Sequence, residues 1–251
     1  MNTIVITPTT GSHELLDAIT SVHNQTKQVE HLLVVDGEKY RSSVDKIIEQ
    51  FKLTDSYHDD PRLPTVCYLP FNTGEYGFYG HRIMASFGHL VPHDYILFLD
   101  QDNWYESNHV DSLVSEIETY KFDWVYSLRK IYDKGKTYLL DDNCESLGRW
   151  PTWVNENGYL IDSSCYCFTN AFLRRLGHLW DFGWGADRRF YTILKEQLKH
   201  LNYACTGHHT LCYRLGGNEG SVQSEFFREG NKKMYEKYSN DGTLPWHRVT
   251  V

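Results

Sequence analysis

The sequence predicts an α/β fold: a mostly parallel central sheet flanked by helices, with a small antiparallel extension in its second half. Two observations carry this. Short apolar runs alternate with amphipathic helical stretches through the first hundred residues. Each apolar run also stops at a cluster of turn-forming polar residues, the pattern of βαβ units rather than of hairpins. The 251 residues show no internal repeat, low-complexity tract or linker, so 1–251 reads as a single domain. Within it, 1–103 is the regular half, 104–215 the irregular half and 216–251 a tail.

The elements follow in order. Residues 3–7 (TIVIT) form a first strand that stops at Pro8. Residues 14–25 place Leu15, Ala18, Ile19 and Val22 on one helical face, with Ser12 or His13 near the cap. A second strand, 31–35 (HLLVV), ends at Asp36-Gly37, and 43–52 reads as a helix through Val44, Ile47, Ile48 and Phe51. Residues 65–69 are a third strand, 80–90 a helix after a glycine-rich loop, and 95–99 (YILFL) a fourth strand ended by Asp100. This βαβαβαβ succession implies parallel strands covered on both faces. In the second half, 109–120 reads as helix and 124–128 as strand. Residues 129–160 suggest a hairpin or long loop. Helical patterns return at 170–176 and 187–200, short strands at 203–206 and 210–215, and a last helix at 223–238.

Composition excludes several classes. Hydrophobic residues make up 41% and charged residues 23%, which fits an ordinary globule rather than disorder or coiled coil. No apolar run approaches the roughly 20 residues of a membrane span. The net charge of −8 leaves no basic stripe for nucleic acid. The start, MNTIVITPTT, lacks a signal peptide's basic region, and the six cysteines form no C-x-x-C pair. A cytoplasmic protein with buried free thiols is the expectation, possible attachment to a membrane surface being left open. The unusual feature is aromatic content: 18 Tyr, 12 Phe and 7 Trp.

Ligands of open parallel sheets bind beyond the carboxyl ends of the strands. Here those ends carry Thr7-Pro8-Thr9-Thr10-Gly11, Asp36-Gly37-Glu38, Pro70-Phe71-Asn72-Thr73-Gly74 and Asp100-Gln101-Asp102-Asn103. Each alone is ordinary turn chemistry; four on one edge point to a site. Residues i and i+2 of an extended segment project alike, so Asp100 and Asp102 can converge. Two such carboxylates beside a buried strand call for a hard divalent cation, Mg²⁺ or Mn²⁺.

At this point the chain resembles glycosyltransferases of the GT-A (Rossmann-like) fold, close to family 2. The matching pieces are IVITPTT, LLDAITSVHNQT, HLLVVDG, the D-x-D in LFLDQDN, and GWGADRRFY, in an order spanning residue 3 to about 195. The resemblance implies a nucleotide-binding half (1–103) and an acceptor half (104–215). By it, Thr7, Pro8 and Thr9 would line the nucleotide pocket, Asp36 would accept a hydrogen bond from base or ribose, and Asp100 and Asp102 would meet the ribose and the metal. Asn72 and Arg82 lie in a loop, NTGEYGFYGHR, that departs from the family form; Arg82 would keep its basic role toward nucleotide or phosphate. Asp187, at a loop-to-helix junction, would be the general base, with Asp162 and Glu156 as alternatives. His208 or His209 would add a metal ligand, favouring Mn²⁺. Trp150, Trp153, Asp162 and Trp184 would meet the acceptor or sugar, flat rings packing on the C–H faces of pyranoses.

The activity so implied is metal-dependent transfer of a sugar from a nucleoside diphosphate sugar, UDP as carrier, to the hydroxyl of a glycan or other acceptor, with inversion. Two rivals stand beside it. A sugar nucleotidyltransferase would need a cationic glycine-rich loop after the first strand, where this chain has PTTGSHE. A non-catalytic nucleotide-sugar-binding module would bind without turnover.

Overall fold

The computed structural model describes residues 2–53, 62–197, 202–216 and 222–247. One nine-stranded sheet runs through both halves. Its strands are β1 (Thr3–Thr9), β2 (Glu30–Val35), β3 (Thr65–Tyr68), β4 (Tyr95–Phe98), β5 (Trp104–Tyr105), β6 (Trp124–Tyr132), β7 (Tyr138–Asp141), β8 (Tyr166–Thr169) and β9 (Tyr203–Arg214). The order is β3-β2-β1-β4-β8-β6-β9-β5, with β7 beside β6. Strands β3, β2, β1 and β4 are mutually parallel; β8 is antiparallel to both β4 and β6, and β9 is parallel to β6. Every residue of β1 and β4 is buried, because helices cover both faces. That double cover is why these strands read as continuous apolar runs rather than alternating ones.

The helices are α1 (Leu15–His23), α2 (Arg41–Leu53), α3 (His81–Leu90), α4 (His109–Tyr120), α5 (Asn170–Leu176), α6 (Ala186–Gln197) and α7 (Ser224–Tyr238). The helix expected over 187–200 is described to Gln197; the rest of that stretch lies outside the described residues. From β1 the chain moves outward through β2 to β3, then crosses back to lay β4 on the other side of β1. The strand order therefore reverses at β1/β4, and a crevice opens above their carboxyl ends. Among the described residues no helix is long and apolar enough to cross a membrane. All six cysteines are free.

Two elements differ from the sequence reading. Strand β8 interposes YCFT between β4 and β6; four residues between Ser163-Ser164-Cys165 and Asn170 offer too short a pattern to register. Two short strands expected at 203–206 and 210–215 are one strand, β9. Gly207 takes a left-handed φ of 72°, and the register with β6 shifts beside it, so a bulge carries the strand through instead of ending it. The expected hairpin is the β6–β7 pair.

Most of the aromatic excess is core. Trp124 stacks on Tyr203 with ring centroids 4.2 Å apart, and Trp180 on Phe190 at 4.2 Å. Tyr166 and Phe168 of β8 stack at 4.9 Å between these groups. A second apolar cluster, with Leu128, Phe227, Met234 and Trp246 at its centre, docks α7 and the tail on the body. Trp150 and Trp153 belong to this second cluster: Trp150 meets Tyr238 and Trp246, and Trp153 meets Phe226. A Cβ on Gly230 would come within 2.5 Å of Trp153, so α7 approaches this ring as closely as only glycine permits.

Candidate active site

A cleft of about 740 Å³ lies over the strand-order reversal. Its walls bring together Pro8 and Thr9 from the end of β1, Asp36 from the end of β2, Asp100 and Asp102 after β4, Asp162 and Ser163 before β8, and Trp184 and Asp187 around the start of α6.

The floor is organised by Gln101. Its Oε1 accepts from Thr9 Oγ1 at 2.7 Å and from the Thr10 N–H at 3.0 Å, while its Nε2 donates to Thr10 Oγ1 at 3.2 Å. The residue between the two aspartates thus locks their loop to the loop after β1. Asp36 takes the Thr73 N–H at 2.6 Å, the Thr73 hydroxyl at 2.9 Å and the Gly74 N–H at 2.8 Å, shaping the loop before α3. Pro8 packs on Gly80 so closely that a Cβ there would sit 2.7 Å from it.

Behind the aspartates two buried arginines carry the charge. Arg129 on β6, 3% exposed, donates to Asp142 at 2.7 Å, Glu145 at 2.6 Å and Asp162 at 2.8 Å. Glu145 also receives Arg188 at 2.8 Å, beside Asp187. Arg214, at the end of β9, donates to the Asp102 carbonyl at 3.0 Å, and its own N–H bonds Asn103 Oδ1 at 3.0 Å. Its guanidinium also pairs with Asp17 on α1.

The cleft carboxylates therefore fall into two groups. Asp36, Asp162 and Glu145 are saturated by donors. Among the described residues Asp100 and Asp187 each have a single donor: Ser163 Oγ reaches Asp100 at 3.1 Å, and the Arg188 N–H reaches Asp187 at 2.8 Å. Asp102 has no side-chain ion pair among the described residues. Burial, reinforced by Asp162 and Asp102, pushes Asp100 up to about 8. Burial raises Asp102 as well, with Asp162 and Glu14 adding to it. Asp187 is raised by burial and by Asp162, against the Arg188 N–H, Arg188 and His81. Burial lowers the His81 imidazole; its Nδ1 lies 3.0 Å from the Phe182 carbonyl.

These three under-compensated acids suit cationic company. Among the described residues no group of three or more His, Cys, Asp or Glu is disposed to hold a metal by itself. Asp100 and Asp102 instead present the sparse carboxylate set that suits a hard cation completed by phosphate oxygens.

Not every residue singled out from the sequence reaches the cleft. Thr7 is fully buried one step below it, bonded to His31 at 2.9 Å. Asn72 and Arg82 are not in the lining; Arg82 stacks 3.4 Å above Phe78 and pairs with Asp181 at 3.2 Å. Trp150 and Trp153 lie in the second apolar cluster, and Glu156 pairs with Lys237 on the surface. Asp162 lines the cleft with both oxygens engaged, by Arg129 and by the Ser164 N–H at 2.9 Å. His208 and His209 sit mid-strand. Since β9 runs on to Arg214, its cleft end is Tyr213-Arg214 and not the histidines. His209 faces His247, ring centroids 5.3 Å apart, and burial lowers it to about 4. Conversely, Arg129, Glu145 and Arg214 escaped the sequence reading, and Gln101 and Arg188 were read only as parts of the D-x-D and GWGADRRFY stretches. The one available signal was Arg129, a charge inside the apolar strand WVYSLRKIY.

Residues 4–178 match a known family, Glycosyl transferase family 2. No curated protein matches the sequence. Among solved structures the chain is similar to the crystal structure of S. aureus TarS 1–349 in complex with UDP, at 17% identity and a TM-score of 0.58, covering 91% of this chain and 63% of that one. It is likewise similar to TarS 1–349 in complex with UDP-GlcNAc, at 14% identity and a TM-score of 0.58, covering 94% and 67%. The chain thus spans about two thirds or less of those structures' length. What they share with it is the GT-A type of fold: a largely parallel sheet with antiparallel strands toward one side.

Proposed function

The chain belongs to Glycosyl transferase family 2, and from that premise we propose that it moves a sugar from a nucleoside diphosphate sugar to an acceptor hydroxyl, with inversion. The observation that carries the reading is the meeting of Pro8, Thr9, Asp36, Asp100, Asp102 and Asp187 in one cleft over the strand-order reversal. UDP is the proposed carrier, a choice supported by the UDP and UDP-GlcNAc bound in the similar TarS structures.

Pro8 and Thr9 line the nucleoside side of the cleft, and Asp36, its oxygens taken by Thr73 and Gly74, shapes the loop beside it. Asp100 and Asp102 would hold a divalent cation, Mn²⁺ or Mg²⁺, and the chemistry it would supply is neutralisation of charge on the departing diphosphate. Gln101 and Arg214 fix the loop that carries these two acids. Asp187 takes the proton of the attacking hydroxyl. Burial raises its affinity for protons, and among the described residues its second oxygen is left open, whereas both oxygens of Asp162 are engaged by Arg129 and the Ser164 N–H. Attack opposite the leaving group then inverts the anomeric centre. The free thiols suit a reducing compartment, so we place the reaction in the cytoplasm, with the membrane surface as the meeting point for a lipid-linked acceptor.

The test is UDP release from UDP-sugars by the wild type and by Asp187→Asn, with NMR of the product's anomeric configuration. Wild-type turnover with inversion, reduced by at least about a hundredfold in Asp187→Asn while UDP still binds, is the expected result. Undiminished turnover in the variant, or retained configuration, would remove Asp187 from the proposed role. Pyrophosphate release from a nucleoside triphosphate and a sugar phosphate would favour the nucleotidyltransferase.

A further inference from the structure

Among the described residues the Asp187 carboxylate takes one hydrogen bond, from the N–H of Arg188, its own neighbour, at 2.8 Å. That bond travels with the chain and ties Asp187 to no other element. The approach to α6 is equally loose: Gly185 holds a left-handed φ of 80°, and nothing lies within 4 Å of where its Cβ would be. Ala186, Phe190 and Leu194 bury one stripe of α6 at the i, i+4, i+8 spacing. Asp187 and Arg188 lie off that stripe and line the cleft. Packing therefore seats the helix by one face and leaves its first turn to polar contacts.

The contact that crosses to another element is made by Arg188. Its Nη2 donates to Glu145 Oε1 at 2.8 Å, from α6 to the segment after β7. Glu145 is a fixed post. Its side chain is buried, its other oxygen takes Arg129 at 2.6 Å, and its N–H bonds Asp142 Oδ1 at 2.9 Å. Charge balance points the same way. The single guanidinium of Arg129 faces Asp142, Glu145 and Asp162, and Arg188 brings a second cation to this excess of acid. The groups that face Asp187 are Asp162, Asp100, the Tyr166 phenol, Arg188 and His81. Burial and Asp162 favour its protonated form, whereas Arg188 and His81 favour the carboxylate.

We infer that Arg188 is a positioning residue: its ion pair with Glu145 holds the first turn of α6, and with it Asp187, against the Arg129 cluster. The inference rests on the reading of Asp187 as the base. With the Arg188 side chain 42% exposed, the pair contributes little to stability, so its loss is felt in the reaction and not in the fold. A carboxylate displaced by an ångström from the acceptor hydroxyl loses on the order of a hundredfold in rate.

The experiment compares the wild type with Arg188→Met, Arg188→Lys and Asp187→Asn. UDP release from saturating UDP-glucose, UDP-galactose and UDP-GlcNAc is followed as a function of pH, and UDP with Mn²⁺ is titrated by calorimetry. The Asp187 side-chain carboxyl is titrated by carbon-13 NMR, its signal assigned by its loss in Asp187→Asn. Arg188→Met is expected to lower kcat at least about tenfold while UDP affinity stays within about threefold of wild type. Part of that deficit persists on the high-pH plateau, where Asp187 is charged in every form; this part is misplacement. The acid limb and the Asp187 titration both move to higher pH, because the carboxylate has lost a nearby cation. Arg188→Lys, able to make the same single contact, should return kcat to within about threefold of wild type. Circular dichroism melts matching the wild type show that the variants fold. An Asp187 titration unmoved in Arg188→Met, or full turnover there while Asp187→Asn is inactive, overturns the inference and spares the base. A tenfold loss of UDP affinity with kcat unchanged makes Arg188 a donor ligand and also overturns it. Undiminished turnover in Asp187→Asn removes the base reading, with the tether still judged by the NMR titration.

Discussion

Replacing Arg129 by methionine tests the charge architecture behind the cleft. The substitution keeps length and apolar volume but removes the one guanidinium that serves Asp142, Glu145 and Asp162, at 2.7, 2.6 and 2.8 Å. Breaking a buried pair from one side costs about 3–5 kcal/mol, because the partner remains buried and charged. Three partners share this cation, so a loss of at least about 4 kcal/mol near neutral pH is expected, a large part of the ~5–15 kcal/mol that holds a typical domain together. The pH dependence is the sharper signature. In the wild type Asp142 titrates below its usual value: burial alone would raise it, but Arg129 and the Cys144 and Ser146 N–H groups outweigh burial. Its contribution is therefore present above the unfolded carboxylate range near 3.8 and lost as pH falls through the folded value. Without the guanidinium, burial is less opposed and the folded pKa climbs. The stability gap between wild type and variant should then narrow as pH is lowered from 7.5 to 5. Urea denaturation at pH 7.5, 6.5 and 5.5, followed by tryptophan fluorescence, reads this directly. A loss under about 1 kcal/mol, or a gap that does not change with pH, would show that Arg129 does not hold these acids in their charged form.

Three further outcomes are expected. Gly80→Ala drives a Cβ to 2.7 Å from Pro8, so it should cost about 1–3 kcal/mol and weaken UDP binding, measured by thermal melts and calorimetry. His31 and His109 are buried and lowered to about 3, so the native chain keeps them neutral while the unfolded chain protonates them below about 6.5. Each should cost about 1.4 kcal/mol of stability per pH unit as pH falls from about 6.5 toward 3, and urea midpoints that stay flat from pH 6.5 to 4.5 would contradict this. Arg214→Met frees the Asp102 carbonyl and leaves Asp17 without its buried partner; Mn²⁺-dependent UDP affinity should drop about tenfold, read by calorimetry.

The regular half of the fold was legible because β1, β2 and β4 are buried on both faces, and an apolar run that stops at a polar turn marks both the strand and the edge where ligands bind. Asp36, Asp100 and Asp102 were placed at that edge for the same reason, and Asp187 through the family resemblance of GWGADRRFY. Arg129, Glu145 and Arg214 were not. They come from elements whose place beside β4 depends on the sheet order β4-β8-β6-β9, which no local pattern encodes. The histidines show the converse failure. A glycine at 207 reads as a strand end, yet here it makes a bulge, and the true end lies several residues on, at Arg214. The tryptophans divide by neighbourhood: Trp184 is flanked by glycines and stays exposed, whereas Trp150 and Trp153 are claimed by α7 and the tail.

Asp100 and Asp102 are proposed to bind a nucleoside diphosphate through a divalent cation. Calorimetric titration of UDP into the wild type and Asp102→Asn, with Mn²⁺ and with EDTA, addresses this proposal most directly. Binding that requires Mn²⁺ in the wild type and weakens by at least about tenfold in a folded Asp102→Asn is the expected result. UDP binding of equal strength with and without Mn²⁺, or unchanged in Asp102→Asn, would contradict it.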